Sequence, residues 1–234
     1  MSIAENIARI RSRIESSTQH AGRDLADVTL MAVTKTFPPD SILEAYEAGL
    51  RVFGENRVQE FARKAEALRE LTDARWHMIG HLQTNKVVKA AELFDTVDSV
   101  DSLKLAAKLN DAARLTGKKL AVLIEVNVGG EAAKSGAAPG SVELDHLLSA
   151  AERLSHLDVR GLMTVPPFTE DPQQARTYFR QLRELRDRIR ARGLRGVRMD
   201  VLSMGMSQDF EIAIEEGSTC VRLGTAIFGG RQQG

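Results

Sequence analysis

The sequence points to an α/β fold, a (β/α)8 TIM barrel with an extra N-terminal helix, on three grounds. Short apolar or β-branched runs alternate with helical patterns from one end of the 234 residues to the other. Strands separated by helical crossovers must pair in parallel, because a tight turn cannot join adjacent parallel strands. Aromatic residues make up only 5% of the chain, so the core is built from Leu, Val, Ile, Ala and Met, as in other alternating folds. Eight strand and helix units fit a closed barrel; an open doubly wound sheet is the competing arrangement.

The elements follow in order. Between Met1 and Glu15, Ile3, Ile7, Ile10 and Ile14 recur at helical spacing with Arg9, Arg11 and Arg13 among them. No apolar block there is long enough for a signal peptide. Strands are expected at Val28–Thr34, Val52–Gly54, Trp76–Gly80, Phe94–Val97, Leu120–Val128, Val159–Val165, Val197–Met204 and Thr219–Phe228. Helices are expected between them at Ser41–Ala48, Val58–Leu71, Thr84–Leu93, Ser102–Leu115, Val142–Leu154, Pro172–Arg192 and Gln208–Glu215. Gly129–Gly140, rich in glycine and holding Pro139, reads as a loop after the fifth strand. No linker-like tract divides the chain, so residues 1–234 are expected to form one domain.

Composition narrows the function. Lys plus Arg and Asp plus Glu both number 32, so no net basic field favours nucleic acid. The arginine-rich stretch Arg176–Arg198 carries Phe179, Leu182, Leu185 and Ile189 at helical spacing and reads as an amphipathic helix with a basic outer face. Cys220 is the one cysteine, which excludes an intramolecular disulfide and a Cys-rich zinc site and fits a reducing compartment. No segment has the 18 or more apolar residues of a membrane span, so a cytoplasmic protein is expected, without membrane partners.

In such a barrel, sites lie where strands end and the following loops begin. Lys35 follows the run Leu30–Thr34, at the mouth of the first strand. Neighbours there can desolvate an amine and make it available for Schiff-base chemistry, although a solvated lysine opening a loop fits as well. Ser203–Asp209 ends the seventh strand with two hydroxyls, a glycine and the start of a helix, a combination suited to an anion. Ser207 would otherwise be an ordinary helix cap. On the eighth strand Arg222 precedes Gly224 and Thr225; the glycine allows close backbone approach and the threonine adds an N–H and a hydroxyl. A buried arginine is costly unless partnered, so Arg222 is expected to be functional or ion-paired. Asn56, after the second strand, reaches a ligand or caps the helix near Val58. His77 and His81 have the spacing of a metal pair but straddle a strand end and a glycine, so hydrogen-bonded structural histidines are the expectation and no metal is.

Five ordered motifs, 32-AVTKT-36, 53-FGEN-56, 76-WHMIGHLQTNK-86, 202-LSMGMS-207 and 221-VRLGTAIFG-229, resemble the pyridoxal phosphate homeostasis protein family over essentially the whole chain. That family resembles the N-terminal barrel of bacterial alanine racemase and the fold-type III cofactor enzymes. The resemblance implies that Lys35 holds pyridoxal 5′-phosphate (PLP) as a Schiff base, that Ser203, Ser207, Gly224 and Thr225 hold its phosphate, and that Arg222 faces the pyridine nitrogen. Asn56 and His81, in matching motifs, are expected among the cofactor-binding residues. It further implies a non-catalytic, monomeric carrier that stores, protects and delivers PLP, with PLP-dependent apoenzymes as acceptors. A cationic arginine disfavours a proton on the ring nitrogen and weakens the electron sink. A racemase also needs a second acid or base, and the chain has only Tyr46 and Tyr178, both on expected helices. A PLP-dependent racemase or lyase and a cofactor-free Schiff-base aldolase are the alternatives.

Overall fold

The computed structural model describes residues 2–131 and 134–230. Its strands are β1 Thr29–Val33, β2 Val52–Glu55, β3 Arg75–Met78, β4 Thr96–Val100, β5 Leu120–Glu125, β6 Leu157–Met163, β7 Val197–Ser203 and β8 Cys220–Leu223. Each pairs in parallel with its neighbour in chain order. β1 also pairs with β8, Thr29 opposite Cys220 and Ala32 opposite Leu223, which closes the barrel and overturns the open-sheet alternative.

The helices are α1 Ile3–His20, α2 Pro39–Glu47, α3 Val58–Lys64, α4 Val87–Leu93, α5 Leu103–Leu115, α6 Val142–Ala150, α7 Ala175–Ala191, α8 Phe210–Glu215 and α9 Thr225–Phe228. Ile7, Ile10 and Ile14 are buried, as their spacing predicts, and seat α1 against α8 and α9. Asn6 Nδ2 donates to the Ile227 carbonyl at 2.9 Å and ties α1 to α9. α1 begins with a Ser2–Glu5 capping box and runs five residues past the expected Glu15, because polar Ser17 and Thr18 return their hydroxyls to the backbone and are buried.

Several boundaries differ from expectation. The run Thr219–Phe228 is a short strand, then Gly224, then α9; apolar and β-branched residues give no period that separates these states over so few positions. β4 lies two to three residues further on than Phe94–Val97, because Asp98 and Ser99 are polar yet fully buried and conceal the strand's end. Three expected helices contain 3-10 turns, at Ala65–Leu68, Thr84–Lys86 and Pro172–Gln174. α7 buries Phe179, Leu182, Leu185 and Ile189 as expected, but its basic face is more than solvated: Arg176, Arg180 and Arg183 converge on the buried carboxylate of Glu216. Among the described residues no helix is long and apolar enough to cross a membrane.

Candidate active site

Construction of the site starts at Thr34, fully buried just after β1. Its carbonyl accepts from Phe37 N at 3.1 Å, closing a turn that carries Lys35. Lys35 opens onto a cavity of about 420 Å³ at the strand C-termini, whose walls include Lys134, Pro166, Phe168, Ser207, Arg222, Gly224 and Thr225. Loops after β1, β5, β6, β7 and β8 therefore meet at one opening.

Arg222 is 4% exposed on that cavity's floor. Its Nη1 donates to Ser203 Oγ and its Nη2 to the Thr164 carbonyl, both at 2.7 Å. Burial lowers the guanidinium's pKa; Cys220, Asp98, Asp209 and Glu125 oppose that effect. The expected alternative of an ion pair is not met: among the described residues no carboxylate makes a salt bridge to Arg222, and neutral oxygens fix it instead. Ser203 thus lies off the cavity wall, with its hydroxyl committed to Arg222.

Ser207 does not cap α8. The N-cap position is Asp209, whose carboxylate bonds no helix amide and instead accepts from Met206 N at 2.6 Å, so that the start of the expected helix is a turn. Ser207 is left on the cavity wall, with its Oγ 3.5 Å from Thr225 Oγ1. Gly224 starts α9, and the first amides of that turn have no acceptor within it. Two hydroxyls and these amides make one group of donors in the cavity that Lys35 lines.

Asn56 and His81 are brought together, but not to this cavity. They line a neighbouring cleft of about 420 Å³ with Arg57, Gln59, Gln83 and Lys86. Asn56 does not cap α3, whose N-cap is Arg57. His81 Nδ1 is 3.4 Å from Ser135 Oγ and 3.7 Å from Asp101 Oδ2. His77 bonds Asp98 Oδ1 at 2.9 Å through Nδ1, the structural role expected of it. Among the described residues no group of three or more His, Cys, Asp or Glu side chains is placed to hold a metal.

Two residues of interest carried no sequence signal. Lys134, in the glycine-rich loop, lines the Lys35 cavity, pairs with Glu131 and donates to the Pro166 carbonyl at 3.2 Å. Glu125, at the end of β5, has its carboxyl pushed up to about 7, first by burial and then by Asp101, with Arg222 opposing. Its Oε2 has no hydrogen-bond partner. Cys220 is buried, and burial raises its thiol to about 12, so it is no nucleophile near neutrality.

Residues 3–232 match the family model described as alanine racemase, N-terminal domain. The pyridoxal phosphate homeostasis protein of Aquifex aeolicus is 46% identical over 99% of this chain and 100% of its own length. The chain belongs to the pyridoxal phosphate homeostasis protein family. PipY of Synechococcus elongatus, a structure described as having PLP bound, superposes with a TM-score of 0.85 at 36% identity, over 97% of this chain and all of that one. An alanine racemase of Clostridium difficile has a TM-score of 0.73 at 15% identity; this chain spans 57% of it, and the likeness shows the fold alone. The family match spans residues 3–232 and with them all eight strands.

Proposed function

We propose that the protein is a PLP carrier: residues 1–234 act as one barrel that binds the cofactor at the mouth formed by β1, β7 and β8 and holds it for intracellular homeostasis. One observation carries this reading. Lys35 shares a single cavity with Arg222 and with the donor group of Ser207, Gly224 and Thr225. When bound, PLP supplies an aldehyde that condenses with a primary amine and a phosphate that needs several hydrogen-bond donors.

The residues present fit that group. Lys35 provides the amine, while the Ser207 and Thr225 hydroxyls and the first amides of α9 provide donors for a phosphate. Gly224 lies on the cavity wall beside Val33, and lacking a side chain it lets a ligand approach the backbone there. Ser203 and Thr164 fix Arg222, which would face the ring nitrogen and, being cationic, disfavour a proton there. Ser203 is then a support for Arg222 and not a phosphate ligand. Asn56 and His81 would act from the cleft that they line together.

Carriage without turnover fits the same geometry. Neither Tyr46 nor Tyr178 lines the cavity, and the Tyr46 hydroxyl is bound to Asp73. PLP-dependent apoenzymes would be the acceptors, and the protein would act as a cytoplasmic monomer. The test is optical and chemical: protein mixed with PLP should gain a visible absorbance that borohydride removes. Lys35→Ala should gain none, and the reduced adduct should add the mass of PLP less one oxygen, since condensation releases water and reduction adds two hydrogens. A wild-type protein that stays colourless with PLP would overturn the reading.

A further inference from the structure

Lys64 on α3 is 8% exposed, outside the cavity that Lys35 lines. A buried ammonium is tolerated when every donor is used. Lys64 Nζ donates to Glu60 Oε1 at 2.8 Å, to Glu55 Oε1 at 3.0 Å and to the Thr34 carbonyl at 3.0 Å. These partners flank Lys35. Thr34 precedes it and also donates from Oγ1 to Glu55 Oε1 at 2.8 Å. Thr36 follows it and donates its backbone N–H to Glu60 Oε1 at 2.6 Å.

The turn so held is an unusual one. In the turn from Thr34 to Phe37, Lys35 is the second residue and Thr36 the third, with a φ of 69°, the one positive value at a non-glycine among the described residues. A turn with positive φ at its third position favours glycine or asparagine. A β-branched residue stays there only when its surroundings hold it. Glu60 holds the Thr36 amide, Lys64 holds Glu60 and the Thr34 carbonyl, and fully buried Glu55 holds Lys64 from behind.

We propose that Lys64, with Glu55 and Glu60, is a positioning residue that clamps the Thr34–Phe37 turn and so aims the Lys35 amine into the cavity. The proposal rests on the reading that Lys35 takes up the PLP aldehyde. A misplacement of about 1 Å can slow a reaction by two orders of magnitude, so loss of the clamp should act on condensation before it acts on binding.

The experiment uses the full chain and two variants. Glu60→Gln weakens the hold on Thr36, and Glu55→Gln/Lys64→Met removes the buried charges together so that neither is left alone. Two quantities are read: the rate at which a borohydride-trapped PLP adduct accumulates on Lys35, and the affinity for pyridoxine 5′-phosphate, whose alcohol cannot condense. The expected result is trapping slowed by about tenfold or more in both variants with the alcohol's affinity unchanged. Adding Thr36→Gly, which adopts the turn without being held, should restore part of the rate to Glu60→Gln. Wild-type trapping rates in the variants, or a parallel loss of affinity for the alcohol, would overturn the clamp. If the double variant does not fold, Glu60→Gln and its glycine rescue decide alone. Absence of any adduct on wild-type Lys35 would instead defeat the PLP reading, and the clamp with it.

Discussion

Arg222 and Ser207 share one cavity but sit in it differently, and their substitutions should separate accordingly. Ser207 is partly exposed on the wall, so Ser207→Ala should leave the melting temperature unchanged and weaken PLP retention by about tenfold, as for one hydrogen bond to a charged group. Arg222→Ala should weaken retention at least as much and also destabilise the barrel by about 2 kcal/mol, because it strands the Ser203 hydroxyl and the Thr164 carbonyl. Equilibrium dialysis and urea titration of both variants check this. Glu125 contributes a pH dependence of stability of its own. Its carboxyl titrates near 7 in the fold and near 4.5 when unfolded, so the folded state holds its proton more tightly. Stability from that group is full below the unfolded value and is lost as pH rises through about 7, a change on the order of 3 kcal/mol. Glu125→Gln should therefore unfold at higher urea than wild type at about pH 8, with the gap closing toward pH 4.5. That Lys35, Ser207, Arg222, Gly224 and Thr225 lie at the barrel mouth was legible in the sequence because each ends a strand or opens the loop after it. Asn56 and His81 follow the same rule yet face the next cleft: the rule names the rim of the barrel, not which loops share an opening. Lys134 and Glu125 gave no signal, one hidden in a loop and the other inside an apolar run.

Among the elements, the β6–β7 pair shows how little room the barrel leaves. A Cβ on Gly161 would lie 1.9 Å from the Val201 carbonyl oxygen and 2.7 Å from its carbon, beside the irregularity between Val159 and Gly161. Gly161→Ala must push two backbones apart and should cost about 3 kcal/mol, read as a lower urea midpoint with an unchanged slope. No periodicity announces that contact, since it depends on the register between two strands about 40 residues apart. The same limit explains β8 and α9, where Thr225–Phe228 has strand-like composition and becomes a helical turn only because Gly224 leaves the ladder. Helix faces were easier to read: the isoleucines of α1 and the apolar stripe of α7 lie buried where their spacing puts them. The convergence of three α7 arginines on Glu216 was not readable, because it joins side chains from separate turns to a carboxylate at the end of α8.

At the scale of the molecule, alternation alone sufficed to predict parallel pairing, and closure between β1 and β8 followed from having eight units. Equal numbers of acidic and basic residues leave recognition to local groups, and the described cavity gathers them at one mouth. The central claim is that this mouth joins a reactive amine to a phosphate grip. The most direct measurement is peptide mapping by mass spectrometry after the intact protein is mixed with stoichiometric PLP and reduced with borohydride. The adduct should lie on the peptide bearing Lys35, and excess inorganic phosphate should slow its formation. Label spread over surface lysines, at a rate that phosphate does not change, would contradict the account.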